Sequence, residues 1–354
     1  MKTKTNSGNI GYAVVGLGRG MDHVRCVSKS QNCDLLAVCD INPETFTKVL
    51  DKYDPDTYTD IDEMLKRDDI DIVSICTPSG THSDIALKVA AAGKHALLEK
   101  PFDISVEKID MAVKAFKEKG LKVGCIFQNR LAAANQKIKE IIDSGALGKL
   151  ILGTVQVKWY RTQGYYDQNG GWRGTWALDG GGSLMNQGIH TVDLFQWMMG
   201  PVKSVFAYID VEAHDIETED MSIAVLRMKN GGKGVIIGST ATYPGFGTTL
   251  DIHGLDGGIC MLNNDIVDIK LRNADPSVIE NILKTYGPDK DIEFAVAADP
   301  SVINKDTTHI QVQDIIDAVL ENRDPLISGE EGRNAVEIIN AIYESARTGK
   351  EVFL

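Results

Sequence analysis

From Asn9 onward the chain alternates short apolar runs with amphipathic stretches. Asn9–Val15 (NIGYAVV), Asp34–Cys39 (DLLAVC), Ile70–Cys76 (IDIVSIC), His95–Leu98 (HALL) and Val123–Phe127 are apolar nearly throughout, the pattern of strands buried on both faces. Between them, Ile61–Lys66, Ser83–Ala92 (closed by Gly93) and Ser105–Lys119 carry a helical period, and Met21–Lys29 can take the same form. Repeated strand–helix units predict a doubly wound parallel sheet over residues 1–127. A helix over Ala132–Asp143 follows, and then the period changes to two. Leu150–Tyr160, Val202–Glu212, Met221–Met228, Gly234–Ala241, Thr248–His253 and Gly258–Leu262 read as strands, with a hairpin signal at Asn230-Gly231-Gly232. Residues 128–354 are therefore expected to form an α+β domain around a large, mostly antiparallel open sheet. Amphipathic helices over Ile310–Leu320 and Ala335–Arg347 are placed near the domain junction. The more polar stretch 272–307 suggests no function.

One segment departs from ordinary amphipathic patterning. Asp179–Asp193 (DGGGSLMNQGIHTVD) opens on glycines and continues as a helix that is apolar on most sides, ending at Gly200-Pro201. On a 3.6-residue period Asn186, His190, Asp193 and Trp197 share one stripe. A helix apolar all round is buried, and buried polar groups need partners. The stripe is expected to face a ligand, with His190 acting on it.

Composition narrows the partners. The chain has 354 residues, 43% of them hydrophobic, and a formal net charge of −13. That balance argues against nucleic acid and anionic membrane surfaces, which select basic patches. The opening MKTKTNSGN lacks the apolar core of a signal peptide or anchor. The six cysteines are scattered without a CxxC pair, so they read as reduced core thiols of a cytoplasmic protein. No metal site is expected from their spacing, and His214, His253 and His309 read as ordinary structural residues.

The first strand runs directly into Gly16-Leu17-Gly18-Arg19-Gly20, and a helix follows. This is the context of a dinucleotide fingerprint, in which glycines bring backbone N–H groups to a pyrophosphate at a helix N-terminus. The third glycine of G-x-G-x-x-G falls on Met21, and Gly20 comes one residue early. The second strand ends at Asp40, placed to accept hydrogen bonds from ribose hydroxyls and to repel a 2′-phosphate, which favours NAD over NADP. Asp40 also fits a helix N-cap. Gly16, Asp40, Thr77, Glu99, Lys100 and Gln128 all lie at carboxyl ends of predicted strands, where ligands of such sheets bind. Lys100 is either a solvated loop charge or a cation at the nicotinamide rim. The loop Arg161–Trp176 is rich in aromatics and glycine, with Trp172 and Arg173 as candidate sugar and anion contacts.

Gly16-Leu17-Gly18-Arg19-Gly20, Cys76-Thr77-Pro78 with His82, Ala91-Ala92-Gly93-Lys94-His95 leading to Glu99-Lys100-Pro101, and the helix Asn186–Asp193 together resemble the Gfo/Idh/MocA oxidoreductases. The resemblance covers nearly the whole chain. It implies a Rossmann domain binding NAD through Gly16, Gly18, Arg19, Gly20, Met21, Asp40, Thr77, Pro78, His82, Glu99, Lys100 and Gln128. It implies Lys100 and His190 as the catalytic pair, and a homodimer or homotetramer built through the second domain's sheet. The family's D-x-G-x-H-x-x-D helix motif has asparagine here at Asn186. An amide carries no charge, so Asn186 is expected to bond a substrate hydroxyl, and inositol dehydrogenase itself is disfavoured. Arg130, Trp172, Arg173, Asn186 and Asp193 complete the expected substrate contacts. The function implied is an NAD-dependent dehydrogenase of a sugar, sugar nucleotide or cyclitol. A redox-neutral glycosidase or lyase that oxidises C3 transiently, and a non-catalytic dinucleotide sensor, stay open beside it.

Overall fold

The computed structural model describes residues 8–168, 170–288 and 305–354. The chain divides into two compact units, one of Met1–Gln128 with Asn304–Arg333, the other of Asn129–Ile303 with Asn334–Leu354.

In the first unit, β1 (Ile10–Val15), β2 (Cys33–Cys39), β3 (Asp56–Tyr58), β4 (Ile72–Ile75), β5 (His95–Leu98) and β6 (Val123–Cys125) form one six-stranded sheet in the order β3-β2-β1-β4-β5-β6. Every pairing in it is parallel. The order reverses between β1 and β4, and the crevice at such a reversal is where these sheets bind ligands. The helices are α1 (Gly20–Val27), α2 (Phe46–Leu50), α3 (Ile61–Leu65), α4 (His82–Ala91) and α5 (Val106–Glu118). All residues of β1 and β4 are buried, which is why both strands read as unbroken apolar runs. β3 and α2 are too short to leave a periodic signal.

The second unit contains α6 (Ala133–Asp143), β7 (Leu150–Lys158), α7 (Gln163–Asp167), α8 (Ile189–Met199), β8 (Val202–Asp210), β9 (Met221–Met228), β10 (Lys233–Ser239), β11 (Gly247–Gly254), β12 (Gly257–Leu262), β13 (Asp265–Leu271) and α9 (Pro276–Tyr286). Its eight-stranded sheet has the order β13-β12-β11-β7-β10-β9-β8-β14, where β14 is Val352–Phe353. Only β7 and β10 pair in parallel. α8 lies directly on one face of this sheet. A Cβ on Gly153 of β7 would meet Phe195 and Met199 at 2.8 Å, and one on Gly234 of β10 would meet Phe195 at 2.6 Å. The opposite face keeps Tyr208, Ile223 and Val225 exposed.

After α9 the described chain resumes with α10 (Lys305–Glu321), followed by α11 (Gly329–Thr348). Val312, Ile315 and Ile316 of α10 join Val24 and Val27 of α1 in the core of the first unit, which is why this late stretch groups with it. Residues 289–304, part of the polar stretch 272–307, lie outside the described residues. Within the rest of that stretch α9 forms, capped by Asp275, which accepts from the Ser277 N–H, and with proline at its first turn.

Candidate active site

At the carboxyl edge of β1 the backbone turns at Gly16 with φ +83°, and a Cβ there would strike the Cys76 carbonyl and the Thr77 nitrogen. No other residue fits both the conformation and the space. Gly18 is exposed, with open room around it. α1 starts at Gly20, where a Cβ would meet Val14 Cγ1 at 2.9 Å. Gly20 thus allows the close helix–strand packing that the fingerprint assigns to its third glycine, one residue early, while Met21 packs sideways into the core. No side chain caps the start of α1 at Arg19, and an uncapped helix start suits an anion. Asp40 Oδ2 accepts from the Leu17 N–H at 2.6 Å and Oδ1 from the Asn42 N–H at 2.8 Å. A carboxylate has further lone pairs for ribose hydroxyls.

The Glu-Lys pair after β5 stands on a buried polar chain. Tyr12 and Ser74 hydroxyls lie 2.8 Å apart, Ser74 Oγ is 2.9 Å from His23 Nδ1, and His23 Nε2 is 3.3 Å from Glu99 Oε1. Arg19 Nε donates to the same oxygen at 3.2 Å. Burial alone would raise the Glu99 carboxyl. The hydrogen bond from His23 and the charges of Arg19, His23 and Lys100 hold it well below the usual carboxylate range instead. Lys100 is half-buried, and its backbone N–H donates to Glu99 Oε2 at 3.1 Å. His23 and Ser74 escaped the sequence reading. Ser74 is signalled by a polar residue inside an apolar run, whereas His23 lies in an amphipathic helix that gives it no mark.

The remaining strand-end candidates differ in position. Thr77 and Thr81 hydroxyls bond at 2.8 Å in the turn after Pro78. His82, expected at the cofactor, is buried beneath these loops. Its ring nitrogens lie 2.8 Å from the Pro101 carbonyl and 2.7 Å from that of Thr77, so it braces the loops and has no open face. Gln128 is buried, and its Oε1 has no hydrogen-bond partner among the described residues.

In the second unit the glycine run is dictated by contact. A Cβ on Gly181 would collide with the Tyr343 hydroxyl, and one on Gly182 with the Glu219 carbonyl. Buried Glu219 anchors the segment. Its carboxylate accepts from the Gly182 and Leu184 N–H groups at 2.9 Å, from Ser183 Oγ at 3.2 Å and from the Tyr343 hydroxyl at 2.9 Å. Burial still pushes this carboxyl up despite those donors.

Ser183–Gly188 is a π-helical turn that leads into α8. Its i→i+5 bonding replaces the α-helical pattern there, just ahead of His190, Asp193 and Trp197 in α8. Asn186 Nδ2 donates to Asp179 Oδ1 at 2.6 Å, and Gln187 Nε2 donates to Asn186 Oδ1 at 2.8 Å and to the Tyr165 hydroxyl at 2.6 Å. His190 is half-buried in the first turn of α8. Asp193, expected to reach substrate, is fully buried and takes a two-pronged bond from buried Arg130: Nε to Oδ2 at 2.7 Å and Nη2 to Oδ1 at 2.6 Å. Trp197 lies 5.5 Å from the Arg130 guanidinium. Trp172 and Arg173 are both half-buried and stack on each other.

Burial pushes the Cys33, Cys39 and Cys260 thiols up to about 11. Among the described residues no cluster of His, Cys, Asp or Glu is placed to hold a metal, and no helix is long and apolar enough to cross a membrane.

Comparison with known proteins agrees with these two units. Residues 10–127 match the model of an oxidoreductase family with an NAD-binding Rossmann fold, and residues 135–260 match the GFO/IDH/MocA C-terminal domain. The chain belongs to the Gfo/Idh/MocA oxidoreductase family. Among solved family structures, the WlbA dehydrogenase from Bordetella pertussis, in complex with NADH and UDP-GlcNAcA, is 32% identical. The match covers 98% of this chain and 99% of that one, with a TM-score of 0.86. Inositol 2-dehydrogenase of Rhizobium meliloti is 26% identical over 75% of this chain and 79% of its own. D-glucoside 3-dehydrogenase of Escherichia coli is 29% identical over 59% of this chain and 60% of its own.

Proposed function

We propose that the chain is an NAD-dependent dehydrogenase that oxidises a secondary hydroxyl of a sugar, sugar nucleotide or cyclitol, or reduces the matching ketone. The observation that carries this reading is the 32% identity, sustained over 98% of the chain, to a dehydrogenase solved with NADH and UDP-GlcNAcA. The first unit fits the dinucleotide: Gly16 and Gly18 clear the turn, the uncapped N-terminus of α1 suits a pyrophosphate, and Asp40 suits the ribose hydroxyls. Thr77, Pro78 and Gln128 flank that path at the strand ends.

NAD, when bound, accepts the hydride from the carbinol carbon. Lys100 and His190 handle the hydroxyl proton. Lys100 donates a hydrogen bond to the oxygen as negative charge grows on it, and His190 takes the proton as general base. Glu99, kept ionised in buried surroundings, orients Lys100. Asn186 bonds a substrate hydroxyl and Trp172 offers a stacking face. Arg130 and Asp193 act through each other by fixing the turn before α6 to α8.

The test is a panel of sugars, glycosides, cyclitols and UDP-sugars with NAD and NADP, followed by NADH absorbance and by product analysis. NADH should form in step with a ketone product and preferentially with NAD. A Lys100→Ala/His190→Ala double variant should bind NAD and lose turnover. Retained turnover in that variant refutes the assignment. Product formed without net NADH means the redox-neutral glycosidase or lyase instead.

A further inference from the structure

Five side chains of the second unit form an alternating ladder of rings and guanidinium groups. Arg161 lies 4.9 Å from the Trp159 ring centre and 5.5 Å from that of Tyr165. Arg173 lies 4.7 Å from Tyr165 and 5.3 Å from Trp172. A guanidinium stacked on a ring uses its face and keeps its in-plane N–H fork for an acceptor. Arg161 commits that fork to the Tyr160 carbonyl and to Gln187 Oε1, each at 3.0 Å.

Arg173 Nη1 is buried and has no acceptor among the described residues. Asp179, the carboxylate whose charge reaches Tyr165 together with both arginines, is engaged by the Gly174 N–H at 2.9 Å and by Asn186 at 2.6 Å. A buried N–H of a charged group without an acceptor is unfavourable. It is retained where a ligand completes it.

The geometry points to an anion subsite: Arg173, stacked against Tyr165 and Trp172, receives an anionic oxygen of the substrate, a sugar carboxylate or a phosphate. The inference rests on the carbohydrate reading above and narrows it to acidic sugars or sugar phosphates. Neutral sugars and cyclitols lack the group that Arg173 is held to meet. Trp172 keeps the guanidinium in place before the ligand arrives, so little side-chain freedom is lost on binding.

Equilibrium binding tests this independently of turnover. Titration calorimetry on the full chain with NADH present compares glucuronate with glucose, and UDP-glucuronate with UDP-glucose. The wild type should bind glucuronate more tightly than glucose, or both UDP-sugars, which carry phosphate charge, more tightly than the free sugars. Arg173→Gln should cut that preference by about tenfold to a hundredfold, the scale of a lost charge-assisted hydrogen bond, and Arg173→Lys should cut it less. Loss of the glucuronate-over-glucose ratio identifies a carboxylate. A loss common to both UDP-sugars, relative to the free sugars, identifies a phosphate. Equal weakening of charged and neutral ligands by Arg173→Gln, or no binding of either acid by the wild type, overturns the inference. A chain that binds acids through Arg173 yet forms no NADH overturns the dehydrogenase reading and leaves the subsite standing. A circular dichroism melt of each variant separates lost binding from lost folding.

Discussion

Glu99 and Lys100 are adjacent in sequence, and their position after a strand is readable there. What keeps the carboxylate charged is not, because His23 and Ser74 come from α1 and β4. Glu99 binds protons less readily folded than unfolded. It therefore adds stability that is fully present above the ordinary carboxylate value of 4.5 and is lost as pH falls toward the lowered folded value. Wild-type protein should lose more stability than Glu99→Gln as pH falls from about 5 to about 3, read as urea midpoints; an equal loss contradicts the buried-carboxylate account. Arg130 and Asp193 make a second residue-scale case. Sequence spacing marks both as interesting but cannot show that they choose each other. Removing either one strands a buried charge, at about 3–5 kcal/mol. In a double-mutant cycle with Ala at each position, the double loss should fall well short of the sum. Additive losses in urea unfolding show that the two residues act independently.

At the scale of elements, the strand–glycine–helix start of the first unit is legible because its signals are local: an apolar run, a turn that only glycine fits, and an amphipathic helix. The π-helical turn at Ser183–Gly188 leaves no such trace. Its apolar residues satisfy a 3.6-residue pattern about as well as a wider one, so nothing in the sequence marks the wider turn. β13 is hidden for a related reason: its charged residues at Asp265, Asp268 and Lys270 break the apolar run, and a register shift interrupts its pairing with β12. α9 is signalled by Asp275-Pro276, a cap that a search for apolar period passes over. The glycine run is visible, but its cause lies far along the chain, in Glu219 and Tyr343. Gly182→Ala drives a methyl into the Glu219 carbonyl. It should destabilise the protein by about 1–3 kcal/mol, the scale of overpacking a tight site. Urea unfolding reads this directly, and wild-type stability in Gly182→Ala shows that the loop has room to yield.

For the whole molecule, family and cofactor class are legible because several local motifs recur in the right order, while the substrate depends on side chains gathered from distant segments. Assembly is a property of the same scale. The sheet of the second unit buries one face under α8 and leaves the other open. On that face Tyr208 stands beside Ile223 across β8 and β9, and Val225 stands beside Val235 across β9 and β10. Tyr208 is 66% exposed, Ile223 42% and Val225 52%. A contiguous apolar face of this kind marks an interaction surface, and we propose that a second copy of the chain covers it in a homodimer or homotetramer. Net charge then predicts the salt response. Two copies at −13 each repel, and the screening length shrinks from about 30 Å at 0.01 M salt to about 8 Å at 0.15 M. The apolar contact itself is not weakened over that range. Association should therefore tighten as salt rises, opposite to an interface held by ion pairs. Val225→Glu places a charge in the middle of the face and should give monomers at concentrations where the wild type is associated, with secondary structure intact. Sedimentation velocity at the two salt concentrations reads both effects. A wild-type chain that is monomeric in each, or that dissociates as salt is added, rules out this face as the interface.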